Sequence, residues 1–290
     1  MIDISIITVG MNHLLYLKVL LRSLYKENIP QASIEMIYVD NCSSDGTVEY
    51  IRQNYPQVRI VENQKPLGFG ENNNKGVLAS IGKYIAIINP DIVLHKGSLD
   101  FLYEYVEKHP IIGITVPKLL NPDGTVQYSV RSFITLKVLF SRFLSKGNDQ
   151  TTSKIVNKYL CKNMDTTKIQ PVDWAIGAAL FMRRDFYAFL GGFDQNYFLY
   201  MEDEDICLRS WKCNRPVVYF PESIMTHNQL RGSSKIGRKA LLHLQSMFVF
   251  FKKHGCSIGS FCSKMQACSK LEYYEKNKCG FIEIILKSII

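Results

Sequence analysis

The sequence has no apolar run that approaches the ~18 to 20 residues a membrane-spanning helix needs. Its eight cysteines include no C-x-x-C pair. Neither a zinc knuckle nor a secreted disulfide framework is therefore indicated, and free thiols in a reducing cytoplasm are the simplest interpretation. The 47% of apolar residues and 21% of charged residues exclude a disordered chain. With 290 residues, the protein is long enough for a large globular core.

Acidic residues are scarce near the C-terminus. Residues 235–290 contain ten Lys and Arg against three Glu, so they carry +7 of the formal net charge of +9. A basic segment attracts phosphate, which nucleic acid and anionic membranes both present. The segment lacks interleaved aromatic platforms and a recognisable nucleic-acid-binding motif, so nucleic acid is not an expected partner.

The first ninety residues alternate short β-branched apolar runs with helical patterns. Four buried strands are predicted, at residues 4–9, 34–40, 58–63 and 83–89. This alternation predicts an α/β fold with a mostly parallel, Rossmann-like sheet, helices on its faces and right-handed crossovers. Such sheets bind ligands at the carboxyl ends of their strands.

Two aspartates follow predicted strands. Asp40 closes the second strand, and Asp91 follows the fourth. An unpaired buried carboxylate costs several kcal/mol, so packing explains neither residue. Each alone could cap a turn, but both at one edge of a sheet favour a ligand site.

A dinucleotide is not the expected ligand. The segment LGFGENNNKG has Gly68 and Gly70, but Asn73 stands where the third glycine of the dinucleotide fingerprint is needed. Carboxylates in a nucleotide-sized crevice suit a divalent cation that bridges to a diphosphate.

Several segments occur together in a characteristic order. They are ISIITV (4–9), VDNCSSDGT (39–47), LGFGENNNKG (67–76), NPDI (89–92) and a long stretch over 172–234 that contains GAALFMRR and MEDED. With them, the sequence resembles family-2 glycosyltransferases of the GT-A fold, particularly the rhamnosyltransferase-like members of bacterial polysaccharide assembly. The resemblance covers about four fifths of the chain.

The resemblance implies a division of the chain. A GT-A catalytic domain is expected over residues 1–234, with a nucleotide-sugar-binding half at 1–95 and an acceptor-binding half at 96–234. A basic helical C-terminal extension would follow at 235–290.

The resemblance also implies a reaction. A sugar would move from a UDP- or dTDP-sugar to a hydroxyl of a glycan or polyprenyl-linked acceptor, with inversion at the anomeric carbon. The residues expected to contact the donor are Thr8, Asp40, Asn41, Gly68, Asn73 and Asp91. Asp91 and His227 are expected to hold Mg²⁺ or Mn²⁺ on the diphosphate. The alternative is a catalytically inactive nucleotide-sugar-binding protein.

Two positions depart from the family pattern. Asn89 stands at the first acid of the D-x-D element, and asparagine is a weaker metal ligand than aspartate. Met11 stands where relatives usually have a tyrosine that packs on the base.

Four consecutive acids begin at Glu202. Because helical residues turn by about 100° each, the four cannot all face one cleft. By its match to the family's Glu-Asp element, Asp203 is the expected catalytic base, with Glu202 beside it in the acceptor site. Asp205 is predicted to pair with Arg209 at i, i+4, and Glu204 to face solvent. A second interpretation is that the acids only complement a helix dipole.

The expected acceptor site contains Trp174, Gly177, Ala178, Glu202 and Asp203. The Trp174 ring suits either a sugar platform or plain core packing. Arg183 and Arg184 are candidates for contact with the diphosphate.

The segment SFITLKVLFSRFLSKG (132–147) predicts a basic amphipathic helix. Its apolar residues are Leu136, Leu139, Phe140, Phe143 and Leu144. They would pack into the core or lie on a membrane beside a lipid-linked acceptor. In the second alternative, the basic extension and its apolar end at 281–290 would add to peripheral contact of a cytoplasmic protein with the anionic inner face of a membrane.

Overall fold

The computed structural model describes residues 1–145, 147–229, 238–256 and 258–261. The strands are β1 (Ile4–Gly10), β2 (Ile34–Asp40), β3 (Arg59–Glu62), β4 (Tyr84–Ile88), β5 (Ile92–Leu94), β6 (Ile114–Leu120), β7 (Val130–Arg131), β8 (Gln170–Pro171), β9 (Trp174–Ala175), β10 (Ala179–Arg183) and β11 (Val217–His227). The helices are α1 (Leu14–Arg22), α2 (Thr47–Asn54), α3 (Phe69–Leu78), α4 (Ser98–Lys108), α5 (Leu136–Leu144), α6 (Lys154–Tyr159), α7 (Arg184–Phe189), α8 (Glu202–Lys212) and α9 (Arg238–His254). A π-helical turn, Ser23–Glu27, continues α1.

One sheet in the order β3-β2-β1-β4-β10-β6-β11-β5 forms the centre, and β8 pairs with β11. Strands β3, β2, β1 and β4 are parallel, whereas β10 runs antiparallel between β4 and β6. The predicted α/β class with a mostly parallel sheet is confirmed. Strands from both predicted halves of the catalytic domain contribute to the same sheet.

The register brings several strand ends to one edge of the sheet. Gly10 pairs with Asp40, and Ala179, the first residue of β10, pairs with Ile88. At the far side, His227 at the end of β11 pairs with Ile92 at the start of β5. We call this edge, where β1, β2, β4 and β11 end, the carboxyl edge.

Successive side chains of β1 point to opposite faces of the sheet, which explains why the sheet has an apolar core on both faces. Ile4 and Ile6 belong to the core cluster with α1 and α4 on one face of the sheet, and Ile7 lies on the other face, against Gly76 of α3. All three side chains are fully buried. Each such burial stabilises the fold by roughly 1.5–3 kcal/mol.

Helix α9 is the described part of the predicted helical extension, and it docks on α8. Phe250 is buried, and Asp205 accepts hydrogen bonds from Arg209 Nε at 2.6 Å and Lys253 Nζ at 2.8 Å. His254 Nε2 lies 2.7 Å from the same carboxylate. Burial would raise the pKa of Asp205, but His254, Arg209 and Lys253 hold it below its usual value. The predicted Asp205–Arg209 pair is confirmed, and it also anchors α9.

Helix α5 leaves most of its apolar stripe outside the core, so of its two interpretations core packing is wrong except at Leu139, which is partly buried against the core. Leu136, Phe140, Phe143 and Leu144 are between 53% and 77% exposed, and Val138 on the other side is buried. We call these four exposed residues the α5 apolar face. Within the described residues, no helix is long and apolar enough to cross a membrane. The apolar end at 281–290 lies outside the described residues.

Candidate active site

Asp40, at the end of β2, has one carboxylate oxygen in use and one without a partner. Its Oδ2 accepts a hydrogen bond from the Ser43 amide at 2.9 Å, which is the turn contact expected of an Asx residue. Its Oδ1 is buried and has no hydrogen-bond partner within the described residues, and the same holds for Thr8 Oγ1 on β1. Buried polar atoms normally have hydrogen-bond partners, so these two oxygens are available to bind a polar ligand at this end of the sheet.

Asn41 holds the loop before α3 against the end of β2. Its amide donates to the Leu67 carbonyl at 3.1 Å and accepts from the Leu67 amide at 2.8 Å. Asn63 donates to both Asn41 and Asn72, which completes a network of amide side chains. Sequence reasoning missed Asn63 because its contacts lie far away along the chain.

Gly68 and Asn73 shape the start of α3. A Cβ atom at Gly68 would lie 2.6 Å from the Phe198 carbonyl oxygen, so only glycine permits this approach. The Phe69 amide donates to the same carbonyl at 3.0 Å. Asn73 donates to the Phe69 carbonyl, and its own Oδ1 is buried without a partner in the described structure. The donor candidates Thr8, Asp40 and Asn73 thus each retain an unused oxygen.

Asp91 and His227 come together at the carboxyl edge, although 135 positions separate them in the sequence. His227 Nε2 lies 3.5 Å from Asp91 Oδ1, which is buried and lacks a hydrogen-bond partner among the described residues. His227 Nδ1 lies 2.7 Å from Gln127 Oε1. The Gln127 amide nitrogen donates to Asn121 Oδ1 at 3.0 Å, so its oxygen faces His227 and Nδ1 is the donor in that contact.

This arrangement fits a cation. A metal-ligating histidine typically donates through one ring nitrogen to an outer partner and offers the other to the metal. Here Gln127 is that outer partner, and Nε2 faces Asp91. In the described part of the chain, no three His, Cys, Asp or Glu side chains cluster as a complete metal site. Asp91 and His227 would therefore supply two ligands, and phosphate or water oxygens the rest.

An unusual backbone precedes the acidic segment. Tyr200 and Met201 have φ values of 71° and 70°, the left-handed region that residues other than glycine rarely adopt. Helix α8 begins directly after them. Strain of this kind is stored where the surrounding structure requires it, often at functional sites. The turn determines where the first residues of α8 point.

The four acids have different environments. Glu202, Glu204 and Asp205 are buried, whereas Asp203 is partly exposed. Of the four, Asp203 alone can therefore meet a substrate without a rearrangement. The turn of the helix separates the four acids, as predicted, but only the tertiary packing shows which side chain is exposed to solvent.

Two backbone amides orient the Asp203 carboxylate. Its Oδ2 accepts from the Gly177 amide and its Oδ1 from the Glu204 amide, each at 2.9 Å. Burial raises the pKa of Asp203, and these two hydrogen bonds oppose the shift. Burial, and then the Asp203 charge, raise the pKa of Glu202 well above its usual value. Hydrogen bonds therefore stabilise the charged form of Asp203, and a carboxylate at this position can accept a proton.

Gly177 and Ala178 connect the two acidic positions. Gly177 donates to Asp203, and the Ala178 carbonyl accepts from the Asn89 amide at 2.9 Å. Asn89 opens the turn that contains Asp91. Asp91 and Asp203 consequently lie at the same edge of the sheet.

Two expectations are corrected by the structure. Glu204 does not face solvent: it is 1% exposed and accepts from the Ile134 amide at 2.6 Å. Arg183 and Arg184 do not serve a diphosphate at the carboxyl edge. Arg183 pairs in register with Tyr84, the first residue of β4, and Arg184 donates to the Gly82 carbonyl just before it. Both arginines lie at the opposite edge of the sheet.

Trp174 is 5% exposed, and its indole nitrogen donates to the Ser132 carbonyl at 2.7 Å. Of its two interpretations, core packing matches this burial. Ser233 and Ser234, which end the segment of family resemblance, lie outside the described residues.

Comparison with known proteins agrees with the motifs. The family described as Glycosyl transferase family 2 matches residues 5–186. The chain is 28% identical over 235 residues to an N-acetylglucosaminyl-diphospho-decaprenol L-rhamnosyltransferase of Mycobacterium tuberculosis strain H37Rv, covering 75% of this chain and 74% of the relative. It is 29% identical over 259 residues to rhamnosyltransferase WbbL of Escherichia coli K12, covering 86% and 93%.

A solved structure supports the fold. The mannosyltransferase PcManGT from Pyrobaculum calidifontis, in complex with GDP-Man and Mn²⁺, superposes with a TM-score of 0.60 at 16% identity. The match covers 91% of this chain and 68% of that one. The predicted GT-A architecture is confirmed.

Proposed function

The chain belongs to glycosyl transferase family 2, and from this premise we propose the reaction of its site. A sugar moves from a UDP- or dTDP-sugar to a hydroxyl of a glycan or polyprenyl-linked acceptor, with inversion, in cell-surface polysaccharide assembly. The observation that carries the proposal is the link through Gly177 and Ala178 between Asp203 and the turn of Asp91. The rhamnosyltransferase names of both curated relatives support a dTDP-linked deoxyhexose as the first donor to test.

Asp203 is the general base of this proposal. As the acceptor oxygen attacks the anomeric carbon, its proton passes to Asp203. A bond forms between that oxygen and the anomeric carbon, while the bond from the carbon to the donor phosphate breaks and its electron pair leaves with the nucleoside diphosphate. Attack opposite the leaving group inverts the configuration through an oxocarbenium-like state. The Gly177 and Glu204 amides keep the carboxylate in place for this transfer.

Mg²⁺ or Mn²⁺ is the proposed cofactor. Asp91 and His227 would hold the ion, which supplies positive charge for the departing diphosphate. The Mn²⁺ in the mannosyltransferase complex supports this choice. Thr8, Asp40 and Asn73 would bind the nucleoside side of the donor through their unused oxygens, and Asn41 and Gly68 would position the loop around it.

A thermal-shift panel of nucleotide sugars, with and without Mn²⁺, tests donor binding. We expect one donor to stabilise the protein and to do so more strongly with Mn²⁺. A ligand present at 100 times its Kd stabilises the folded state by about 2.7 kcal/mol, which is readily measured. Donor binding without transfer or donor hydrolysis would favour the inactive nucleotide-sugar-binding protein. Failure of every donor to bind would overturn the proposal.

We also propose that the protein works at the cytoplasmic face of a membrane. Leu241, Leu244 and Phe248 of α9 are 57% to 71% exposed, so a second helix also carries exposed apolar side chains. The basic residues at 235–290 supply charge complementary to anionic lipid.

Vesicle flotation tests membrane contact. Wild-type protein is expected to float with vesicles that contain anionic lipid, because each exposed Phe that enters the interface contributes roughly 1.5–3 kcal/mol. The double variant Phe140→Ser, Phe143→Ser is expected to remain largely in the soluble fraction. Phe189→Ser is the matched control, since Phe189 is 73% exposed on α7. A wild-type protein that stays entirely soluble would refute membrane contact.

A further inference from the structure

Helix α9 presents different side chains on its two sides. Leu241, Leu244 and Phe248 are 57% to 71% exposed, whereas Ser246 and Phe250 are buried. Residues three or four positions apart lie on the same side of a helix, so the first three residues define an outer side and the other two an inner side. The inner side of α9 is therefore placed to hold the part of the molecule that it covers.

The inner side of α9 covers the turn that precedes the proposed catalytic base. Ser246 Oγ donates a hydrogen bond to the Leu199 carbonyl at 2.9 Å. The centre of the His243 ring lies 4.8 Å from that of the Tyr200 ring. Tyr200 is the first of the two residues with left-handed backbone that lead into α8. Two side chains of α9 thus contact consecutive residues of this turn.

The start of α3 holds the same turn from another direction. The Phe198 carbonyl accepts from the Phe69 amide at 3.0 Å, and the next carbonyl along the chain, that of Leu199, is the one bonded to α9. A left-handed backbone at Tyr200 and Met201 costs energy, so it persists only where the surrounding structure imposes it. The contacts from α3 and α9, immediately before these two residues, supply that constraint.

A second group of contacts joins the end of α9 to the first turn of α8. Lys253 Nζ donates to Asp205 Oδ1 at 2.8 Å and to Asp194 Oδ2 at 2.6 Å. His254 Nε2 lies 2.7 Å from the same oxygen of Asp205. Helix α9 therefore contacts the chain both shortly before and shortly after Asp203.

We propose that α9 positions the catalytic base, and that Ser246 is a positioning residue that acts through residues 199–201. This inference rests on the proposed function and gives the C-terminal extension a part in the chemical step. The base must lie within hydrogen-bond reach of the proton that it removes. The direction in which α8 leaves the turn sets the place of Asp203, so a contact that fixes the turn also fixes the base. Loss of this contact should lower kcat and leave donor binding unchanged.

Amide hydrogen exchange of the free full-length protein tests the proposal without a substrate. The Gly177 and Glu204 amides donate to the Asp203 carboxylate, so their exchange rates report how firmly that carboxylate is held. In Ser246→Ala, both amides are expected to exchange about tenfold faster, because the turn before α8 loses a hydrogen bond.

Ser223→Ala is the matched control. Ser223 is also buried, and its Oγ also donates to a backbone carbonyl, that of Ser98, at 2.8 Å. The two variants should therefore lose similar amounts of stability in thermal unfolding. Ser223→Ala is expected to leave the exchange of the Gly177 and Glu204 amides unchanged, so a general loss of stability is distinguished from release of the base.

Turnover provides a second readout. The donor is the nucleotide sugar selected by the thermal-shift panel, beginning with dTDP-rhamnose, and turnover is measured as release of its nucleoside diphosphate. Ser246→Ala is expected to lower kcat by about 10- to 100-fold, since a small misplacement of a catalytic group costs up to about 10²-fold. In the Asp203→Asn background the same substitution should cost less than about twofold, because a residue that acts only through the base has no further effect once the base is gone.

Lys253→Met serves if Ser246→Ala fails to fold. The Lys253 side chain is 34% exposed, so the fold should persist, and faster exchange of the Glu204 amide is expected. The proposal is overturned if folded Ser246→Ala shows wild-type exchange at both amides, keeps the wild-type kcat, or lowers kcat equally with and without Asp203. Full turnover by Asp203→Asn alone would instead refute the base itself, whereas failure of every donor to bind would count against the proposed transfer.

Discussion

Asp203→Asn is expected to lose nearly all sugar transfer while donor binding remains close to that of wild type. The substitution keeps the shape of the side chain but removes the group that accepts the proton. General base catalysis contributes typically about 10²- to 10⁴-fold, so a loss in that range is expected in kcat. Donor binding should persist, because the unused oxygens of Thr8, Asp40 and Asn73 lie on other elements.

Transfer and binding must be measured on the same preparation. A radiolabelled or mass-detected transfer assay reports kcat, and calorimetry with the donor reports binding. Asp185→Asn is a matched control, because its carboxylate is 72% exposed in the first turn of α7 and contacts Arg183. Full turnover by Asp203→Asn would refute the assignment of the base, whereas loss of donor binding would indicate a structural role.

The pH dependence of wild-type transfer follows from the same site. Asp203 can act only when deprotonated, and burial raises its pKa. Transfer should therefore decline with falling pH at a value above about 3.9, the pKa of an unperturbed aspartate. The decline reports an apparent pKa of the Glu202–Asp203 pair, because the two groups interact. A rate that stays constant down to pH 4 in folded protein would contradict the raised pKa.

Asp91→Ala is expected to remove the dependence of donor binding on Mn²⁺. Asp91 Oδ1 is buried without a hydrogen-bond partner in the described structure and lies 3.5 Å from His227 Nε2, so the substitution deletes a proposed ligand. Changes to outer partners of metal sites cost about 10- to 100-fold in metal affinity, and loss of a direct ligand should cost at least as much.

Calorimetric titration of donor, with Mn²⁺ and with chelator, measures this effect. Wild-type protein should bind the donor more tightly with Mn²⁺, and Asp91→Ala should bind it equally weakly under both conditions. The free nucleoside should bind to both proteins alike, because it does not need the cation. An Asp91→Ala protein that keeps its Mn²⁺-dependent affinity would place the metal elsewhere.

Local pattern was sufficient for much of the fold. The four predicted strands correspond to β1, β2, β3 and β4. They were predicted from β-branched apolar runs, because the tendency to form a strand is set largely by residues adjacent in the sequence. The same alternation placed Asp40 and Asp91 at strand ends, and parallel pairing brings such ends to one edge.

Burial and long-range contacts could not be predicted in this way. The spacing in α5 showed an apolar stripe, but periodicity does not indicate whether a stripe faces core or solvent. Helix geometry required the four acids to diverge, yet Glu204 was predicted on the exposed side although it is buried. Gln127 carried no local signal, because its role depends on His227, which is distant along the chain.

The amino-acid sequence by itself determined the α/β class, the family and the acidic positions, because each is encoded in residues close together along the chain. Only the tertiary structure decided that Asp203 is the partly exposed acid and that Gln127 orients His227. The physical reason is that exposure, hydrogen-bond direction and charge compensation depend on side chains brought together by folding, and no local pattern records which side chains those are.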